Sequence, residues 1–496
     1  MIAALGSLAG QHLLLLKAWL LIPFLAAFLA ALLPLLGRPL LLLSCLFTAM
    51  VACDNLLGAP PAELSLLGEL GVTLQVDRLG AWFLLLNALL FAAVALEGWL
   101  RPQFSAKPML LLVMQGGLIV SCLATDLVSL YVTLELVGIC AFLLVVLPQR
   151  DSTLWVSLRY LLVSNTAMSL YLIGAGLVYV QRESFQIAAL ADLPFGAPQV
   201  FLLVGLFTKG GLFLAGLWLP RTHAEAPPEI SALLSGVVVT GGIAPLLRVA
   251  DTDPVLFSAI RWVGMASAVL GVVYALNARD AKRLLAWSTL SQMGLVVLSP
   301  ITGGAMALGH GLAKGALFLC ARQFPTRNLQ EWGSRAMPPI ALGVLWIASL
   351  SIAGLPPLVG FAAKKQLDAV LPDPFAWMVL LVSVGTVAVY ARLWTVGFQV
   401  KPQSISEQGV ILPQLLAFGV LLLPLCFGAE AIAPSWPVAS SLLTTGLVFA
   451  AGLMLHALLQ PVRPLPLPVL ERLDQLLGGA VLLGAGLLAV FSGGLA

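Results

Sequence analysis

The sequence predicts an all-α polytopic membrane protein, and three observations predict it. First, 60% of the 496 residues are hydrophobic and only 9% are charged, whereas a soluble globular chain carries about 25% charged residues. Second, apolar runs of roughly 20 residues, enough to cross the hydrocarbon core, recur along the chain with short polar links between them. Third, no stretch reads as a convincing strand, and no Gly-rich nucleotide fingerprint follows one. The net charge of +3 indicates no nucleic-acid surface. The six cysteines (Cys45, Cys53, Cys122, Cys140, Cys320, Cys426) fall mostly inside apolar runs and form no CxxC pair. They read as core packing, with neither a disulfide framework nor a metal or iron–sulfur site. No cofactor and no catalytic redox group is therefore expected in this chain.

Taken in order, the apolar runs place spans near 13–36, 38–57, 79–100, 108–124, 126–147, 154–180, 200–219, 229–250, 256–276, 283–300, 302–321, 339–371 (broken), 376–399, 411–430, 438–459 and 473–493. The expectation is therefore about 14–16 transmembrane helices. The first 36 residues lack a basic region followed by a small-residue cleavage site and read as a retained span. The longest polar stretches, Asp54–Arg78 and Lys401–Gly409, are too small for a separate domain. Loops after odd-numbered spans hold Arg38, Arg101, Lys107, Arg150, Arg221, Arg279, Lys282, Arg283, Arg322, Arg327, Arg335, Lys401, Arg463 and Arg472. Loops after even-numbered spans hold Arg78, Arg182, Arg248 and Arg261. The positive-inside rule makes the first set cytoplasmic, with both termini outside. Four regions result: N-terminal spans over 1–107, five-span blocks over 108–250 and 256–399, and C-terminal spans over 400–496. An odd number of spans per block would make the two blocks inverted repeats.

Each block carries an interrupted helix beside a lysine. In Val204–Pro220, Lys209 is followed by Gly210 and Gly211; in Ala353–Leu367, Pro356 and Pro357 precede Lys364. A lysine at bilayer depth is costly and usually faces a protein interior or hydrated cavity. Interrupted hydrophobic segments in corresponding places point to a transport site. Glu135 lies mid-span in LELVGICAFLLV, with Lys209 as its expected partner. Separating such a pair would let the lysine release its proton; a static pair joining two helices is the structural alternative. His310 and Lys314 stand four apart, on one helix face, and suit a relay. A satisfied core histidine is the plainer reading of His310. Lys282, like Lys364, could instead snorkel to the interface. Arg159 and Arg248 read as anchors near span ends. His223 and Glu225, in or beside a loop, could form a proton entrance or be ordinary surface residues.

Five motifs occur in order: LELVGICAFLLV, TKGGLFLAGLWLPRTHAEAPPEISALLSG, NARDAKRLLAWSTLSQMG, HGLAKGALFL and LPPLVGFAAKKQL. Over about residues 70–400 the chain resembles the antiporter-like subunits shared by respiratory complex I and Mrp-type cation/proton antiporters. The resemblance implies fourteen core helices, two inverted five-helix repeats with one broken helix each, and a hydrated polar axis along the membrane midplane. It implies that Glu135, Lys209, Lys282, His310, Lys314 and Lys364 lie on that axis, with protons entering near Lys209 and leaving near Lys364. It also implies partner membrane subunits, a surrounding lipid bilayer, and protons or possibly Na+ as the transported ion. The location it implies is a bacterial inner membrane or an equivalent energy-transducing membrane.

The chain departs from the family pattern at several places. Thr240 stands where many relatives have a lysine, so water must bridge the axis there. Leu214 and Gly216 replace a proline and a histidine of the first broken helix, and Met306 replaces a second histidine before His310. The leading expectation is a proton-translocating subunit of an NAD(P)H or ferredoxin:quinone oxidoreductase, with the redox chemistry in its partners. An Mrp-type Na+/H+ antiporter subunit is the alternative, to which PPEISALLSG reads somewhat closer. Further alternatives are a proton-flux subunit of an inorganic-carbon-uptake complex and a scaffold whose axis is interrupted at Thr240.

Overall fold

The computed structural model describes residues 2–66, 72–99, 107–399, 401–402, 412–433, 439–460 and 466–492. Arg101 and Arg463, two cations of the orientation pattern, lie outside them, as does most of Lys401–Gly409. The helices begin with α1 (Ile2–Leu32) and α2 (Gly37–Leu56), and a hairpin follows, β1 (Ala62–Ser65) with β2 (Thr73–Val76). Next come α3 (Arg78–Glu97), α4 (Lys107–Leu123), α5 (Leu127–Val146) and α6 (Asp151–Arg182). The first interrupted region comprises α7 (Ala197–Gly210), α8 (Leu219–Glu225), α9 (Pro228–Leu233) and α10 (Val239–Ala250). Then follow α11 (Pro254–Asn277), α12 (Ala281–Val296) and α13 (Pro300–Cys320). The second interrupted region is β3 (Ala336–Met337), α14 (Pro339–Ala353) and α15 (Val359–Val370), followed by α16 (Phe375–Gln399) and β4 (Lys401–Pro402). The chain closes with α17 (Leu412–Phe427), α18 (Ala429–Ile432), α19 (Ala439–Leu459) and α20 (Leu473–Phe491).

A helix or helix pair stands at each expected span, because a chain crossing lipid must satisfy its backbone polar groups internally. Among the described residues, eleven helices are long and apolar enough to cross, or twelve counting α7 and Phe213–Glu225 as one span bent by 43°. Shorter apolar helices are α4, α14 and α17. Aspartates start four of the spans: Asp77, Asp126, Asp253 and Asp280 each accept a backbone N–H of the first turn. The expectation of no strands is corrected by the two short pairs. β1 and β2 run antiparallel with Ala62 opposite Val76, and β3 lies parallel to β4. Both are extramembrane links, where extended backbone pairs locally instead of following an apolar run. The hairpin is tied to the start of α5, since Thr73 N–H donates to Asp126 Oδ2 at 3.0 Å.

The centre of the bundle is set by small residues. Lipid tails are as apolar as leucine, so close helix approach rests on packing instead of hydrophobicity. Cβ atoms added at Gly304, Gly311 and Gly315 of α13 would strike Trp82, Leu86 and Leu90 of α3 at about 2.5 Å. That groove draws α13 inward. The apolar windows of Pro228–Ala250 and Pro300–Gln323 are 100% and 94% buried, whereas that of α19 is 11% buried. The lysine- and histidine-bearing helix α13 is thus central.

Arg248, expected as an interfacial anchor, is instead held inside. It grips Asp77 with two nitrogens, at 2.8 and 2.9 Å, and donates to the Cys122 carbonyl at 3.2 Å. Its position at the end of α10, facing the cap of α3, places a carboxylate within reach. Asp77→Ala removes both the cap and the carboxylate. We expect a loss of roughly 3 kcal/mol, read as a lower thermal midpoint of the detergent-solubilised protein.

Candidate functional site

The first interruption begins where Gly210 ends α7. Gly211 takes φ +66°, a left-handed conformation open to glycine. A short 3₁₀ turn, Phe213–Gly216, then leads into α8. The freed backbone groups find side-chain partners. Trp218 Nε1 donates to the Thr208 carbonyl at 2.8 Å, and Phe213 N–H donates to Ser267 Oγ at 2.9 Å. Gly242 of α10 backs directly on Lys209 and Gly210, where a Cβ would lie 2.4 Å from the Gly210 nitrogen.

Lys209 is buried and lies 3.1 Å from Glu135 Oε1. The pair is an ion contact and not an aligned hydrogen bond; Lys209 Nζ donates to the Leu134 carbonyl at 2.9 Å. Asn165 of α6, with its amide nitrogen turned to the carboxylate, donates to Glu135 Oε2 at 3.1 Å. Gly138, one turn beyond Glu135, makes room for the ammonium: a Cβ there would sit 2.8 Å from Lys209 Nζ.

The other lysines are also interior. Lys282 is buried and donates to the Ala226 carbonyl at 2.5 Å, so the snorkelling alternative is corrected. Its place in the first turn of α12 faces the end of α8 and not the interface. Lys314 is fully buried and donates to the Leu285 carbonyl at 2.5 Å and to Ser288 Oγ. Lys364 is buried and donates to the Ala353 carbonyl at 3.3 Å. The stop of α14 is Gly354, with φ +93°; Pro356 and Pro357 lie in the connection to α15. Lys364 and Asp368 line a cavity of about 410 Å³ with Ser383, Ser441, Thr444 and Thr445.

Sequence reasoning missed the hydroxyls between these lysines. Ser288 Oγ lies 2.9 Å from Tyr390 Oη, and Thr289 Oγ1 donates to the same Leu285 carbonyl that holds Lys314. Ser235 and Thr289 hydroxyls meet at 2.7 Å, joining α12 to the single π-helical turn, Leu234–Val238, between α9 and α10. On α16, Ser383, Thr386 and Tyr390 are buried at a spacing that shares one helix face and leads toward the Lys364 cavity. A serine or threonine in an apolar helix ordinarily bonds its own i−4 carbonyl, so its sequence carries no signal of a path. Thr240 does this: it is buried and donates to Val237 and Gly236 carbonyls at 2.9 and 3.3 Å.

His310 is buried on α13, one turn before Lys314, and its ring nitrogens have no hydrogen-bond partner among the described residues. His223 and Glu225 are not brought together, which corrects the expectation of a joint entrance. They stand two apart on α8 and face different ways. His223 is fully buried with its ring 5.4 Å from Phe318, while Glu225 pairs with Arg327 at 3.6 Å.

Residues 124–389 match the family described as the NADH:quinone oxidoreductase/Mrp antiporter transmembrane region. The chain belongs to this family. It is 30% identical over 358 residues to NADH-quinone oxidoreductase subunit N of Desulforudis audaxviator (strain MP104C), a match covering 64% of this chain and 71% of that one. It is 29% identical over 448 residues to hydrogenase-4 component B of Escherichia coli (strain K12), covering 76% and 64% respectively. In fold it is similar to a chain of the Mrp complex from Dietzia sp. DQ12-45-1b. That match has a TM-score of 0.74 at 23% identity and covers 95% of this chain and 59% of that one. The family member is thus a multi-pass membrane antiporter-like subunit whose relatives work in multi-subunit complexes.

Gly138 gives a direct test of the ion pair. Gly138→Ala should raise helix stability slightly, by about 0.5–1 kcal/mol, yet push Lys209 Nζ off Glu135. Proton uptake by membrane vesicles should fall while the assembled amount of protein is unchanged. Unchanged uptake would mean that the pair is merely structural.

Proposed function

We propose that this chain is a proton-translocating membrane subunit of a complex I-like NAD(P)H or ferredoxin:quinone oxidoreductase. The observation that carries this is the Glu135–Lys209 ion pair at 3.1 Å, set against a helix interruption in a bundle that buries three more lysines, Lys282, Lys314 and Lys364. While the pair holds, the carboxylate keeps the ammonium protonated. When it opens, a desolvated lysine gives up its proton readily, because burial disfavours the charged form. Lys282, His310 and Lys314 carry the proton through the middle, with water bridging at Thr240, and Lys364 is the far end. The two blocks, 108–250 and 256–399, act as paired units with one interrupted helix each. Asn165, exposed beside Glu135, sets that end of the axis at the outer surface of the bundle, where a partner membrane subunit would sit. In this reading the electron chemistry belongs to partners.

A second reading, a subunit of an Mrp-type Na+/H+ antiporter, is favoured by the PPEISALLSG stretch and by the fold likeness to the Mrp complex. Mild-detergent purification of the tagged chain separates the two. Co-purifying iron–sulfur absorbance supports the oxidoreductase, and a colourless assembly of small membrane proteins supports the antiporter.

Lys209→Ala and Glu135→Ala should each slow ion translocation more than tenfold, the effect of about 1.4 kcal/mol, with assembly intact. Normal pumping in both would sink the relay. Thr240→Lys tests the uncharged middle. If water bridges it, the rate should stay within about twofold, less than half a kcal/mol by the same relation.

A further inference from the structure

Four charged side chains outside the axis converge at one end of the bundle. Glu229, in the first turn of α9, is buried and lies 2.9 Å from Lys107 Nζ and 2.5 Å from Arg322 Nη2. Arg322, just past α13, also reaches Glu97 at the end of α3, with its Nε 3.4 Å from Oε1. Two carboxylates and two cations, from three helices and the turn after α13, are thus closed into one cluster. Glu229 and Glu97 are nearly inaccessible, whereas 31% of the Arg322 side chain is exposed. The cluster therefore runs from the aqueous phase into the interior.

Its position on the chain is informative. Glu97, Lys107, Glu229 and Arg322 all sit at span ends on the side rich in lysine and arginine loops. Lys282 opens α12 on that same side, and its ammonium donates to Ala226, three residues before Glu229. The titratable and charged groups around Lys282 are Arg327, Asp280, Glu225 and Glu229, with His223 on α8. Of the two glutamates, Glu225 is tied to Arg327, which also holds Asp280 at 2.7 Å. Glu229 stands three residues past the Ala226 carbonyl that holds Lys282, and it pairs outward with Arg322. One helical turn deeper than Lys282, the Leu285 carbonyl holds Lys314. The groups thus descend in order from exposed Arg322 to Glu229, Lys282 and Lys314.

We propose that Glu229 is the carboxyl through which Lys282 exchanges protons with the aqueous face, and that Arg322 is the arm that opens and closes it. The inference rests on the proton-path reading above and names its opening to water. With Arg322 swung to Glu97, Glu229 takes a proton from the aqueous face. Its carboxyl O–H then passes that proton, through water, to the neutral amine of Lys282, leaving a carboxylate and an ammonium. Return of Arg322 to Glu229 stabilises the carboxylate and prevents back-transfer. Lys107 stays on Oε1 in both positions, so the proton is carried on Oε2, the oxygen that Arg322 leaves.

Glu229→Gln keeps the shape and removes the proton. Proton translocation by the intact complex in vesicles should fall about tenfold or more. Glu229→Asp should restore most of the rate. Arg322→Cys should react with a membrane-impermeant cationic thiol reagent from the lysine- and arginine-rich side only, and the reaction should slow translocation. If Glu229→Gln pumps normally while Lys209→Ala does not, the axis stands and this entrance is wrong. If both pump normally, the axis itself is wrong. Loss of assembled protein in Glu229→Gln with no rescue by Glu229→Asp, or Arg322→Cys inert from both sides, would also overturn the proposal.

Discussion

The structure depends on how an ammonium group is held in a dry bundle. Four buried lysines solve this in one way, each donating to a main-chain carbonyl: Lys209 to Leu134, Lys282 to Ala226, Lys314 to Leu285 and Lys364 to Ala353. Two of those carbonyls stand at helix ends, where no N–H four residues on takes them and the helix dipole is negative. Ala353 is the last residue of α14, and Ala226 caps α8. The interruptions do more than bend the chain. They release the acceptors that make a buried lysine tolerable.

That arrangement requires close backbone approach, which explains where glycine is placed. Gly242 seats α10 against the Lys209 turn, and Gly354 leaves room for the Lys364 stem, whose Cδ would be 3.2 Å from an added Cβ. The glycine groove of α13 brings His310 and Lys314 to the centre under α3. Packing by small residues and polar placement are therefore one design, since the same close contacts that hold helices together without a hydrophobic drive also exclude lipid from the lysines. A larger side chain at these glycines would separate the carbonyl from its lysine before it unfolded a helix.

Much of this was legible in the sequence. Spans were visible because lipid demands uninterrupted apolar runs, and the lysines were visible because nothing else explains a cation in one. The Gly210–Gly211 interruption was legible for the same reason. What remained hidden has a common cause. Ser235, Ser288, Thr289 and Tyr390 become a network only when the π-helical turn before α10 is packed with α12, α13 and α16, and hydroxyls alone in a helix look self-satisfied. Glu229 follows two prolines and looks like an ordinary acidic first-turn residue favoured by the helix dipole. Arg248 and Lys282 sat near span ends, where snorkelling and inward pairing give the same sequence. His223 lay in a polar stretch that folds back as α8 between Trp218 and Phe318.

The four lysines differ in one respect, and that difference orders them. Among the described residues, Lys209 alone of the four has a carboxylate within ion-pair distance. A carbonyl offers a dipole, which falls well short of a full charge in a medium of low dielectric. Lys209 is therefore the position where a positive charge rests most stably, and the other three hold charge only at a cost set by burial. Charge on Lys314 also opposes charge on His310, which stands one turn away on the same helix. On the proton-path reading proposed above, such a bundle would hold fewer protons than it has lysines, and would hold them first beside Glu135. Opening the Glu135–Lys209 pair, on the same reading, removes the carboxylate that, among the described residues, lies within ion-pair distance of one of these lysines. On that reading the direction of transfer would be set by which end is wet, with the hydroxyls of Ser288, Thr289 and Tyr390 held in fixed contacts and the ion pairs at the ends as the parts that change.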